Sequence, residues 1–194
     1  MPAPVLVQRP SRAEAEAAVT TLLRWAGDDP KREGLIDTPG RVVRAFEEYF
    51  QGYNEDPAEV LRSASYDHAG YEDFVLLRNI PFESHCEHHI APIIGSVSVA
   101  YLPNTRVVGI SKLVRVCEVF AKRLQIQEKM TAEIAEAINV GLKPRGVAVV
   151  IVAEHQCMTT RGVHKKGLSM TSRAFLGEFK DNEVLRREFL TALQ

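Results

Sequence analysis

Apolar positions along this chain recur first with helical spacing and later with strand spacing. The opening third reads as helices. Ser11 followed three residues later by Glu14, just after Pro10, is a capping-box pattern, and it predicts a helix to about Trp25 that Asp28-Asp29-Pro30 ends. Thr38-Pro39 predicts a second start, with a capping hydroxyl and proline at the first helical position. That helix, to about Gln51, turns Val42, Val43, Phe46 and Phe50 to one side and Arg41, Arg44, Glu47 and Glu48 elsewhere. A short helix over residues 57–63 and a loop containing Gly70 follow.

From Phe74 the period shortens. Val97, Val99 and Tyr101 alternate with Ser96, Ser98 and Ala100, the mark of a half-buried strand. Ser111 is placed to cap a helix to about Leu124, and a second helix is expected over residues 131–142. Gly141 and Pro144-Arg145-Gly146 interrupt the pattern. Residues 147–154 are apolar and β-branched, as an interior strand would be. If that strand continues unbent, Val149, Ile151, Ala153, His155 and Cys157 share one face. A further strand over 170–179 and a final helix capped by Asp181 and ending near Leu193 complete the reading. Strands grouped with two adjacent helices suggest α+β, with an antiparallel sheet carrying helices on one face.

Composition narrows the function classes. With 45% hydrophobic and 25% charged residues, the 194-residue chain can bury a real core. A net charge of -1 and a pI near 6.6 offer no global attraction to nucleic acid or an anionic membrane. No apolar run approaches the ~20 residues of a membrane span, and the first dozen residues lack the apolar stretch of a signal peptide. Three cysteines do not suggest a disulfide framework, so a reducing cytoplasm is the expected location.

The metal-capable side chains are concentrated. Five of the six histidines (85, 88, 89, 155 and 164) and two of the three cysteines lie in or just after His85-Cys86-Glu87-His88-His89 and His155-Gln156-Cys157, the latter leading to Arg161. Thiolate and imidazole are preferred zinc ligands. Cys86 and His89 share a face if the chain makes a helical turn, and His155 and Cys157 share one on a strand. Cys86, His89, His155 and Cys157 together would close a structural Cys₂His₂ site, whereas three ligands plus water would make a catalytic one. Spacing alone leaves both open. Cys117, on the apolar side of a helix, reads as core.

A second polar cluster lies between them: Ser111, Lys112, Arg115, Arg123, Gln125, Gln127 and Glu128. Lys112 and Arg115 are three apart on one helical face, with Ser111 near the helix start, a corner suited to phosphate. A solvated helix face accounts for the same residues. Gln125-Ile126-Gln127-Glu128 fits either the end of a surface helix or an amide–carboxylate pair reading the edge of a heterocycle.

Taken in order, Cys86-Glu87-His88-His89, Gly109-Ile110-Ser111-Lys112-Leu113 with Arg115, Gln125-Ile126-Gln127-Glu128 with Thr131, and Glu154-His155-Gln156-Cys157-Met158 with Arg161-Gly162-Val163 resemble the zinc-dependent GTP cyclohydrolase I family. The resemblance runs from about Asp37-Thr38-Pro39 with Arg41 to Glu188-Phe189-Leu190. It implies a T-fold: an antiparallel four-stranded sheet with two helices on one face, preceded by N-terminal helices. The expected division is a helical extension over 1–70 and a catalytic domain over 71–194. It also implies conversion of GTP and water to 7,8-dihydroneopterin triphosphate and formate, the entry to folate or another pterin in one-carbon metabolism. By the same resemblance Cys86, His89 and Cys157 are the Zn²⁺ ligands, with a position left for water. His155 is then the acid–base candidate, His88 a second acid–base or ribose-contacting one, and Glu128 the anchor for guanine N1–H and the 2-amino group. Gln127, Glu87 and Ser111 are further substrate contacts, and Lys112, Arg115, Arg161 and Arg41 hold the triphosphate. Arg44 stands where a lysine is common. The family pattern also implies a homodecamer with active sites between subunits.

Overall fold

The computed structural model describes residues 8–62, 65–67 and 70–194. By its contacts the chain divides into two compact units, Met1–Tyr49 and Phe50–Gln194.

The first unit is a pair of helices, α1 (Arg12–Trp25) and α2 (Thr38–Tyr49). Ser11 caps α1 as its spacing predicts: its hydroxyl accepts from the Glu14 N–H, and the Glu14 carboxylate accepts from the Ser11 N–H at 2.8 Å. The helix ends at Trp25, as expected, just ahead of the Asp28-Asp29-Pro30 breaker. Gly27, at a φ of 94°, lets the Gly27 and Asp28 N–H groups turn back onto Arg24 and Leu23 carbonyls. α2 begins at Thr38, and the Arg41 N–H bonds the Asp37 carbonyl at 3.1 Å. Asp37, not Thr38, therefore precedes the first turn.

The second unit is built on a five-stranded sheet in the order β5-β2-β3-β6-β7. The strands are β2 (Val75–Cys86), β3 (Pro92–Leu102), β5 (Leu124–Gln125), β6 (Gly146–His155) and β7 (Ser169–Gly177). β2, β3, β6 and β7 form the expected antiparallel four, and the two-residue β5 adds a parallel pairing to the end of β2. A separate ribbon pairs β1 (Ser65–Asp67) with β4 (Arg106–Val108).

Two helices, α4 (Ile110–Ala121) and α5 (Gln127–Leu142), cover one sheet face with α3 (Pro57–Arg62) beside them. Leu113, Val116 and Phe120 from α4, and Met130, Ile134 and Ile138 from α5, meet Val97, Val99, Tyr101, Val149 and Ile151 in the main core. Cys117 belongs to this core, where burial pushes its thiol up to about 12. Residues 50–62, grouped with the N-terminal helices on sequence, pack with the sheet unit instead: a 3₁₀ turn (Gln51–Asn54) and α3 lie on α4 and α5. Gly52 sits so close to α4 that a Cβ there would collide with the Val119 carbonyl. The last residue of the predicted 57–63 helix lies outside the described residues.

The opposite sheet face is not solvated, as the alternation in β3 suggested. Ala100, Leu102, Ala148 and Val150 are buried there beneath Phe179 of α7 (Glu178–Asp181) and Phe189 of α8 (Glu183–Ala192). Asn182, one residue beyond the expected Asp181, caps α8 by accepting from the Val184 and Leu185 N–H groups.

One irregularity in β2 decides which residues reach the core. Leu77 pairs with Val99 and Ile80 with Val97, so β2 carries one residue more than β3 between those pairs. Asn79 absorbs it at a φ of 55°, its N–H bonded to Ser98 Oγ at 3.2 Å. Before the bulge Val75 and Leu77 face the main core; after it Ile80, Phe82 and Cys86 do. An extra residue reverses the face of everything beyond it. That is how Cys86 reaches the core side.

Candidate functional site

The site grows from the start of β3. His85 of β2 pairs with Pro92 on one side, and His155 of β6 pairs with Ile93 on the other. Two strand ends distant in sequence therefore reach the same end of the sheet. Past Cys86 the chain turns sharply: the Ile90 N–H bonds the Cys86 carbonyl, and the Cys86 N–H bonds the Ala91 carbonyl, both at 2.9 Å. Ile90 has a φ of 53°, a costly conformation for a β-branched residue, directly after His89. The turn aims His89 back at Cys86, with Nδ1 3.8 Å from Sγ.

Past His155 the chain does not continue as a strand. Gln156–Thr159 form a helical turn, α6, tied by Thr159 Oγ1 to Gln156 Oε1 at 2.7 Å. Cys157 therefore does not share a strand face with His155, as the spacing suggested. The helical turn instead brings the Cys157 sulfur to Cys86 and His89, and the three ligand atoms all lie within 4.8 Å of one another. Ligand atoms bound at about 2.0–2.3 Å to a tetrahedral metal stand roughly 3.3–3.8 Å apart. Two sulfurs and an imidazole nitrogen at this spacing can hold a metal ion. Burial and the neighbouring Cys86 sulfur push the Cys157 thiol up from its ordinary value, a tendency that a coordinated cation would reverse. The four-ligand alternative is not assembled among the described residues: His155 does not join the group that Cys86, His89 and Cys157 form, and its Nε2 lies 2.8 Å from Gln127 Oε1.

Gln127 and Glu128 sit in the first turn of α5, which starts four residues earlier than the apolar pattern indicated. Gln127 is fully buried, and its amide nitrogen bonds the Ile151 and Met170 carbonyls and Ser172 Oγ. Glu128 is exposed. Burial pushes the His155 pKa down, and the Glu128 charge acts in the opposite direction. His88 is exposed beside His89, their ring centroids 6.2 Å apart. Glu87 is exposed too, its N–H bonded to the Gln125 carbonyl.

The expected phosphate residues lie on different elements of the chain. Ser111 lies inside the first turn of α4, not at its cap, which is Gly109. Lys112 and Arg115 line a cleft with Asn54, Glu55, Asp56, Glu59 and Val60. Arg161 is exposed after α6, close enough for its charge to lower the Cys157 pKa slightly against burial. Arg41 belongs to the N-terminal unit and bonds Asp37 at 3.2 Å. Arg123 and Gln125 are structural. Arg123 donates to the Gly52 and Glu55 carbonyls with its guanidinium over Phe120, and Gln125 bonds the Phe120 carbonyl. Ser172, buried against Gln127 and Thr131, carries no mark in the sequence: nothing in its strand pattern distinguishes it.

Residues 15–194 match the family described as GTP cyclohydrolase I. The chain belongs to that family. It is 60% identical to GTP cyclohydrolase 1 of Hyphomonas neptunium over 98% of this chain and 92% of that protein. It is 57% identical to GTP cyclohydrolase 1 of Maricaulis maris over 96% and 91%. A solved structure, the archaeosine synthase QueF-Like in the apo form, is 20% identical over 55% of this chain and 96% of that one, at a TM-score of 0.46. That likeness is too slight to bear on function. As a GTP cyclohydrolase I family member the chain is an enzyme, a hydrolase of that type. Among the described residues no helix is long and apolar enough to cross a membrane.

Proposed function

We propose that this family member is a zinc-dependent enzyme whose centre is Cys86, His89 and Cys157. It converts GTP and water to 7,8-dihydroneopterin triphosphate and formate, the first step of folate or pterin synthesis. The observation that carries the metal assignment is the convergence of two thiols and an imidazole from distant segments. The set of two sulfurs and one nitrogen is soft enough for zinc, and three ligands leave a position open. When bound, zinc supplies Lewis acidity, which brings the pKa of water to about 7.

The chain's own groups do the rest. Guanine C8 is a poor electrophile until N7 is protonated. His155, held at the end of β6, transfers the proton at N7, and His88 is the second acid–base group. Glu128, an acceptor at the exposed start of α5, takes the guanine N1–H and 2-amino hydrogens, which adenine does not offer in that arrangement. Lys112, Arg115, Arg161 and Arg41 bind the triphosphate, with Ser111 and Glu87 as further contacts. Gln127 is better suited to hold His155 than to touch substrate, since its amide is engaged within the protein.

The active form in this reading is a homo-oligomer, a decamer with sites shared between chains, working in the cytoplasm. β7 ends the sheet with its outer edge unpaired among the described residues, and α2 buries none of its residues in the single chain. Both suit assembly with further copies. The N-terminal helices then act as an extension to the catalytic T-fold.

Incubation with GTP tests the reading. Formate should appear in step with a fluorescent pterin product, stop on chelation and resume on adding Zn²⁺. Turnover unaffected by complete metal removal would overturn the zinc assignment, and no formate from the zinc-replete protein would overturn the reaction.

A further inference from the structure

Beneath His155 lies a closed set of buried hydrogen bonds in which each group's role as donor or acceptor is fixed, the two Gln127 amide hydrogens being shared among three acceptors. The Gln127 amide nitrogen lies 3.2 Å from the Ile151 carbonyl and 3.0 Å from that of Met170. Carbonyls only accept, so the amide cannot be turned round: a flip would set its oxygen against two others. The hydroxyls agree. Thr131 Oγ1 donates its single proton to the Gln127 carbonyl at 2.7 Å. Ser172 Oγ, 2.6 Å from Thr131 Oγ1, must then donate to it, and so accepts from the Gln127 amide at 3.0 Å. Gln127, Thr131 and Ser172 are all buried, so water does not reorder the set. What remains facing His155 is the Gln127 oxygen, 2.8 Å from Nε2.

We infer that Gln127 is a positioning residue that locks neutral His155 as the Nε2–H tautomer, so that Nδ1 is the ring nitrogen that exchanges protons with the substrate. An amide oxygen accepts and never donates, so Nε2 must carry hydrogen whenever the bond is made. Nδ1 makes no hydrogen bond among the described residues. In protonating guanine N7, His155 releases the Nδ1 proton, keeps the Nε2 proton on Gln127 and returns to the same neutral tautomer. The reverse transfer uses the same nitrogen. The ring need not turn between steps, and its orientation is set by two backbone carbonyls that side-chain substitution cannot remove. The catalytic part rests on His155 acting at the substrate as proposed above; the tautomer does not.

The test is ¹⁵N NMR of the histidine-labelled, zinc-loaded protein, with His155 assigned by its loss in His155→Ala. Wild type should show a protonated Nε2 and an unprotonated Nδ1 in the neutral ring. Gln127→Met, close in size but without the oxygen, should lose that single tautomer while keeping its zinc. Its kcat should fall roughly 10- to 10³-fold, the scale of misplacing a catalytic histidine's proton, with KM for GTP changed less than about threefold if the loss is confined to the proton-transfer step. Gln127→Glu, protonated against the two carbonyls, still offers an oxygen to Nε2–H and should recover part of the loss. A wild-type spectrum with Nδ1–H overturns the inference, and so does unchanged kcat in a folded Gln127→Met. Should Gln127→Met fail to fold, the wild-type spectrum still decides. Full turnover by His155→Ala would remove the histidine's role in the reaction and leave the tautomer where the spectrum puts it.

Discussion

His155 pairs with Ile93 across the β3–β6 ladder, one step along β3 from the Pro92–His85 pair on its other side. The start of one strand thus brings the two halves of the site together, and the site inherits the register of the sheet. Since that register depends on the extra residue at Asn79, a change remote from the proposed metal ligands should reach them.

Asn79→Val should therefore cost stability and metal together. A β-branched residue at a φ of 55° loses about 1–2 kcal/mol, and slipping out of the bulge would turn Cys86 from the core face. Asn79→Gly should stay close to wild type. Thermal unfolding and zinc content of the two variants check this; equal behaviour would mean that the bulge does not position Cys86.

Cys157→Ser should shed metal and activity together. Losing a thiolate from a three-ligand centre removes both charge and geometry. Metal analysis of the purified variant decides, and full zinc occupancy would remove Cys157 from the ligand set.

Chemistry and metal binding separate at the histidines. His155→Ala and His88→Ala should keep zinc and lose turnover by about 10²-fold or more, if each moves a proton in the limiting step. An emptied site in His155→Ala would instead make that residue a ligand.

Much of this arrangement is legible in the sequence because it rests on local chemistry. The Ser11–Glu14 cap, the β-branched run of β6 and the gathering of thiols and imidazoles all carry their reasons in adjacent residues. What is not legible depends on tertiary pairing. The step from His155 to Cys157 resembles a strand, yet Glu154 is the last residue of β6 to pair with β7, and the unpaired chain coils into α6. Ser111 looks like a cap, but α4 starts at Ile110 without a side-chain cap. Gln127 looks like a reader of substrate because only the fold reveals the Ile151 and Met170 carbonyls that claim its amide. β3 looks half-buried until Phe179 and Phe189 arrive from the far end of the chain.

Base recognition should hinge on Glu128. Glu128→Gln preserves size but replaces one acceptor oxygen with a donor that faces the guanine donors. The unpaired hydrogens should weaken use of GTP by roughly 1–3 kcal/mol in kcat/KM, with zinc retained. Equal kcat/KM in the variant would mean that Glu128 does not read the base.

Assembly should prove necessary for phosphate binding. Lys112 and Arg115 lie in the sheet unit, in a cleft also lined by Glu55, Asp56 and Glu59. Such a cleft is poorly suited to a triphosphate unless further cations join it. Arg41 is carried on the N-terminal unit, and in the proposed assembly a neighbouring chain supplies it. Light scattering should therefore report a particle far above the 21.6 kDa chain. Arg41→Ala and Lys112→Ala should each be inactive or nearly so. Mixing them under conditions of proven subunit exchange should recover part of the activity, because some sites then draw an intact Arg41 from one chain and an intact Lys112 from another. A fully active monomer would refute the shared site. No recovery despite exchange would place both residues on one chain's site, or Arg41 outside it, and the need for assembly would then have to come from the unpaired edge of β7 alone.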